Sequence, residues 1–138
     1  QGITNPCYGW DGPGPGGLMA IPTRHMGAQY RDVPHSSLYL PGPEPLLFTG
    51  DASPAPINFF PAGKGMQTHV LAAAFAFFMG PPLQRVVRQR IRPKRAYVLH
   101  LPLSQADELG LEGQIQQSIA GCTLPVTILR LGQRVDPA

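Results

Sequence analysis

Charge is scarce in this chain: Asp, Glu, Lys and Arg make up 14% of its 138 residues, against roughly a quarter in an ordinary globular protein. That scarcity argues against a ribosomal or chromatin-type protein, whose affinity is built from many phosphate contacts. Cysteine is scarcer still, with only Cys7 and Cys122. Two cysteines so far apart supply neither a metal-knuckle spacing nor a disulfide framework, and a single bridge between them stays open. The four histidines, His25, His35, His69 and His100, show no HExxH or paired-ligand spacing, so no metal site is expected. The chain starts at Gln1 and carries no signal h-region or Arg/Ser-rich transit peptide, from which upstream processing or trimming is expected.

Proline and glycine are abundant, and they are unevenly placed. Residues 1–62 hold eleven of the 17 prolines and nine of the 16 glycines. Proline removes a backbone donor and glycine loses the most entropy on ordering, so this half reads as an extended arm punctuated by turns. Ordering it costs on the order of 1–2 kcal/mol per residue, and the simplest source of compensating contacts is the surface of other protein subunits. Tyr8, Trp10, Tyr30, Tyr39, Phe48, Phe59 and Phe60 are the expected partner anchors. The alternative is that the arm packs on the chain's own C-terminal half.

The stretch from Met66 to Gln84 contains no charged residue, and six basic residues follow between Arg85 and Arg95. Thr68 is placed to cap a helix over HVLAAAFAFFM, apolar all round and stopped by Gly80-Pro81-Pro82. Val70, Leu71, Phe75, Phe77 and Phe78 would then face lipid or a protein interior, the length being marginal for a span. A second, basic amphipathic helix follows, with Leu83, Val86, Val87 and Ile91 on one stripe and Pro93 ending it. Arg85, Arg88, Arg90, Arg92, Lys94 and Arg95 are candidate contacts for a phosphate or a lipid headgroup. Their bland reading is a solvated surface. Tyr97 is the only nearby aromatic, a poor supply for stacking single-stranded bases.

Beyond Pro93, AYVLHLPL reads as a strand with Tyr97, Leu99, Leu101 and Leu103 on one face. Ser104 and Asp107 resemble a capping box ahead of a helix closed by Gly121, and TLPVTILRL reads as a second strand. Strand, helix and strand compose a small βαβ unit with parallel pairing, over 96–131. The expected class is therefore α+β: arm 1–62, then 63–138 with a helical segment (66–92) and the βαβ cap.

No residue set has both the spacing and the local chemistry of a catalytic site. Cys7 with a histidine as base is a thiol-hydrolase or toxin arrangement in outline only, because NPCYGW sits in turn-rich chain rather than at a helix start. DGPGPGG has prolines where a nucleotide loop needs N–H donors, and AGKGMQT lacks the first glycine and the hydroxyl of a P-loop. No cofactor is expected. The reading that follows is a non-catalytic accessory subunit of a large, membrane-associated assembly, for example an organellar (mitochondrial) one. The first alternative is a structural component of a ribonucleoprotein or capsid that meets nucleic acid through Arg85–Arg95, and the second is a thiol hydrolase or toxin domain using Cys7.

Overall fold

Among the described residues six strands form one sheet in the order β1-β2-β3-β4-β5-β6, the same as their order along the chain. The computed structural model describes residues 17–59 and 67–135. The strands are β1 (Met19–Pro22), β2 (Ser36–Leu40), β3 (Leu46–Phe48), β4 (Val70–Ala74), β5 (Arg95–Leu99) and β6 (Val126–Ile128). β1 and β2, and β2 and β3, pair antiparallel, whereas β3 to β6 are successively parallel. The fold is thus mixed α/β on a mostly parallel sheet. Among the described residues there are two helices besides 3-10 turns: a π-helix (Leu83–Ile91) between β4 and β5, and α1 (Leu111–Ile119) between β5 and β6.

The apolar block does not form the expected helix. Val70–Ala74 is strand β4, and Phe75–Phe78 is a 3-10 turn. Alanine favours helix locally, but β4 lies between two parallel neighbours, where a short continuous apolar run is the normal signature of a strand covered on both faces. Leu71 and Ala73 are wholly buried and Val70 and Ala74 nearly so. Among the described residues no helix is long and apolar enough to cross a membrane.

Register assigns the two faces of the sheet. Leu47, Leu71 and Ala96 lie side by side, as do Ala73 and Val98, and all are buried beneath the helices. Phe77 and Phe78, both 0% exposed, fill the space between sheet, π-helix and α1, in one core with Leu83, Val86, Val87, Ile91 and Ile115. Burying a phenylalanine ring contributes about 1.5–3 kcal/mol over leaving it in water. The small side chains of Ala73 and Ala96 leave room for these rings.

The described part of the segment expected as an extended arm is instead structured, with β1, β2 and β3 continuing the sheet of the C-terminal half. Pro22 ends the edge strand β1, where a missing N–H costs no ladder bond to a further strand. Tyr39 and Phe59, expected as partner anchors, are buried in the chain's own core. Tyr39 donates its hydroxyl to Gln67 O (2.8 Å), and Phe59 meets Phe77 edge-on at 5.7 Å. Phe48 is half-buried and Tyr30 exposed. Tyr8, Trp10, Phe60 and Cys7 lie outside the described residues.

β5, α1 and β6 make a parallel βαβ unit. β5 is shorter than expected, ending at Leu99, and its core-facing residues are Ala96 and Val98 rather than Tyr97 and Leu99. Asp107 caps α1 with both oxygens: Oδ1 accepts from Leu111 N–H (2.7 Å) and Oδ2 from Glu112 N–H (3.1 Å). The π-helix closes with an i→i−5 bond, Arg92 N–H donating to Val87 O at 2.8 Å. Arg92 then turns left-handed (φ 54°), which is how the chain reverses before Pro93.

Candidate functional site at the carboxyl rim of the parallel strands

In open α/β sheets, ligands bind at the carboxyl ends of the strands, where loops rather than ladders present side chains. Here that rim collects three of the four histidines and one aspartate. β1 runs into Thr23 and His25, β2 is preceded by His35, β3 runs into Thr49-Gly50-Asp51, and β5 runs into His100. Residues spread over nearly eighty positions thereby meet in one cluster.

Its scaffold is a chain of hydrogen bonds whose direction can be worked out. The Asp51 N–H can only donate, so His35 Nε2, 2.9 Å away, is the bare nitrogen. The proton of His35 is therefore on Nδ1 and is donated to Thr23 Oγ1 at 2.8 Å. Thr23 passes its own proton to Ser37 Oγ (3.1 Å), and Ser37 donates to Thr49 O (2.9 Å). Thr23, Ser37 and Thr49 are buried, and every link is satisfied. Burial, reinforced by the neighbouring His25, holds His35 below the usual histidine pKa, against a smaller opposing pull from Asp51. Protonation would also place a second donor against the Asp51 N–H. His35 is a neutral structural acceptor that fixes the Asp51 loop.

Gly50 makes this approach feasible. It has φ +57°, and a β-carbon there would lie 2.9 Å from His35 Nε2. The turn projects the Asp51 carboxylate between two further histidines. Oδ1 lies 3.0 Å from His100 Nδ1, and Oδ2 lies 3.7 Å from His25 Nε2. His25 Nδ1 donates to Met26 O (2.7 Å), and its ring packs 4.9 Å from Tyr30 and 5.5 Å from His35. His100 is held at φ 63°, an uncommon conformation for a non-glycine residue and one that collects at functional sites.

The Asp51 carboxylate lies against Nδ1 of His100, which leaves Nε2 as the acid–base atom facing away from it, on a half-exposed side chain. Beside it is a cleft of about 770 Å³, walled by Leu101, Leu103, Ile128 and Leu131 and by the Arg130–Glu112 ion pair. Arg130 engages both carboxylate oxygens of Glu112, holding that carboxyl below its usual pKa. Among the described residues no group of His, Cys, Asp and Glu has the geometry to hold a metal ion.

The basic residues flagged in the sequence lie mostly at the opposite rim. Arg85, Arg88, Arg92 and Lys94 are exposed, Arg90 is half-buried, and Arg95 donates to Glu44 at 2.8 Å on the sheet. Arg88 reaches Cys122 Sγ at 3.6 Å, and Cys122 is a free thiol. His69, grouped with the other histidines as a base for Cys7, precedes β4 at this same opposite rim, so the fold separates it from them. Sequence reasoning singled out each histidine but missed Asp51, the residue that joins His25 and His100. The one available signal was an apolar run followed directly by Thr-Gly-Asp. No protein-family model matches the chain, and comparison with curated proteins returns no match.

Proposed function

We propose that the carboxyl rim is an acid–base site, in which His100 Nε2 activates water for attack on an ester or amide carbonyl bound in the adjacent cleft. The observation that carries this reading is the 3.0 Å contact between Asp51 and His100 Nδ1, which orients the ring and stabilises the imidazolium formed during reaction. The water proton goes to Nε2 as its oxygen attacks, and the imidazolium returns that proton to the leaving alcohol or amine. The leucine and isoleucine walls suit a substrate with an apolar acyl group. The test is turnover on a panel of small alkyl and aryl esters and amides. His100→Gln is expected to lower it by roughly 10²–10⁴-fold, the usual worth of a positioned acid–base group, and Asp51→Asn by a comparable factor. Absence of turnover, or turnover indifferent to His100→Gln, would overturn the reading.

A second reading, a non-catalytic subunit of a larger assembly, is favoured by the sheet face opposite the helices. Leu38, Leu46, Phe48, Tyr97 and Leu99 are only half-buried there, and Leu40 is 40% exposed. Apolar area of this kind is the normal core of a protein interface. On this reading the isolated chain binds an apolar dye, and Leu40→Glu with Leu46→Glu reduces the binding. A wild-type chain that binds none would remove the support.

A further inference from the structure

The amino rim of the parallel strands carries a separate feature. A groove of about 340 Å³ runs between the end of the π-helix and the loop that leads into β6, lined by Arg88, Arg92, Lys94, Thr123 and Pro125 with Val87 at its base. Among the described residues three cations line it and no carboxylate does. Two arginines elsewhere are paired with acids, Arg95 with Glu44 and Arg130 with Glu112. Among the described residues Arg88, Arg92 and Lys94 form no ion pair, and the one side-chain contact of Arg88 is to the weakly accepting thiol of Cys122.

The backbone holds this arrangement in place. Arg92 is left-handed at φ 54°, and the next two N–H groups after Pro93, those of Lys94 and Arg95, both donate to His69 O at 2.9 and 3.1 Å. The Arg92–Lys94 segment is thus pinned to the start of β4 while its side chains project beside Thr123. Like charges held together on rigid backbone repel one another, and an anion seated between them removes that repulsion. Two guanidinium forks, an ammonium and a hydroxyl match the tetrahedral oxygens of a phosphate, which accept several donors at once. The volume suits one or two phosphate groups better than a whole nucleotide.

We propose that this groove is a binding site for a phosphate group carried by a small ligand, with Arg88, Arg92 and Lys94 as its cationic donors and Thr123 as a hydroxyl donor. It is distinct from the acid–base site, being at the other end of the strands, and does not depend on that reading. The test is calorimetric titration of the full chain with inorganic pyrophosphate. Binding should weaken as salt is raised. Arg88→Gln and Arg92→Gln should each raise Kd by roughly 10–100-fold, the worth of a hydrogen bond to a charged group, with unchanged unfolding midpoints. Arg24→Gln and Arg31→Gln, which lie toward the carboxyl rim, should leave it unchanged. A duplex oligonucleotide forms the second arm. If it binds more tightly than pyrophosphate at the same ionic strength, and Arg85→Gln weakens it as much as Arg88→Gln, the surface is an extended nucleic-acid face and the proposal is overturned. Absence of pyrophosphate binding, or binding indifferent to Arg88→Gln and Arg92→Gln, overturns it as well.

Discussion

Replacing Gly50 by alanine separates two costs that are usually mixed. The first is conformational: at φ +57° an L-residue is left-handed, which costs roughly 1–2 kcal/mol. The second is contact, because the new methyl would lie 2.9 Å from His35 Nε2, the atom that accepts the Asp51 N–H. The ring must move, and a partly buried donor is left without its acceptor at about 1–3 kcal/mol. Gly80 supplies the reference. It too is left-handed, at φ +61°, but a β-carbon there meets nothing within 4 Å. Gly80→Ala should therefore show the conformational cost alone, and Gly50→Ala should exceed it by about 1–3 kcal/mol in urea unfolding. In Gly50→Ala the imidazole of His35 should also titrate closer to the ordinary histidine value, followed by NMR, because displacement into solvent relieves the burial that lowers it. Equal losses for the two substitutions, together with an unmoved His35 titration, would refute the assignment of Gly50 as the residue that seats Asp51 on His35.

The same histidine gives the fold a pH dependence. His35 has a lowered folded pKa, so the unfolded chain takes up its proton first. The stability it contributes is complete above the unfolded value near 6.5 and is lost as pH falls from there towards the folded value. Unfolding midpoints measured between pH 7.5 and 5 should fall, and His35→Gln, which preserves an acceptor, should flatten the decline. Phe78→Ala removes a ring with no exposure from the junction of sheet and both helices, and is expected to cost about 3–5 kcal/mol in chemical denaturation. Asp107→Ala strips both capping bonds from α1 and should cost about 1 kcal/mol. Amide exchange of Leu111 and Glu112 should quicken before that of the sheet.

How much of this was legible in the sequence depends on the range of the forces involved. The βαβ unit was readable because its signals are local: a short apolar strand, a helix closed by a glycine and a second apolar strand. Its helix nevertheless starts later than the Ser104–Asp107 capping box predicts: Ser104–Ala106 is a 3-10 turn, α1 begins at Leu111, and Asp107 rather than Ser104 supplies the cap. β4 was misread because LAAAFAFF has the local preferences of a helix, and only its two parallel neighbours make it a strand. Within that run Ala73 faces the helices and makes room for Phe77 and Phe78. β1 and β2 were hidden because prolines at 22, 34, 41, 43 and 45 bracket them, and these lie at strand ends or in turns. The Pro/Gly content was informative about turns and misleading about the absence of strands between them. Asp51 was marked only by the Thr-Gly-Asp that follows an apolar run, and its partners are set by strand order.

The fold itself explains why the histidine–aspartate cluster and the cationic groove lie at opposite rims. Four successive parallel strands need crossovers, and both helices pack on the face that buries Leu71, Ala73, Ala96 and Val98. That leaves the strand ends as the places where backbone ladders stop and loops can carry charge. At the carboxyl rim, β1, β3 and β5 all end and β2 begins, so one end of the sheet receives His25, His35, Asp51 and His100 from four separate segments. At the amino rim, the π-helix returns into β5 and delivers Arg88, Arg92 and Lys94 in a single stretch. The histidine–aspartate cluster is therefore a product of tertiary topology, sensitive to strand register, whereas the cations of the groove come from one local stretch and only Thr123–Pro125 is brought to it by the fold. A substitution that shifts β3 against β4, such as Leu47→Pro, should disperse the first cluster. The arginines of the second are fixed by the π-helix, Pro93 and the bonds to His69 O, and should be disturbed less. Histidine side-chain NMR signals read against pyrophosphate binding would distinguish the two. Loss of pyrophosphate binding with intact histidine signals in such a variant would contradict this division.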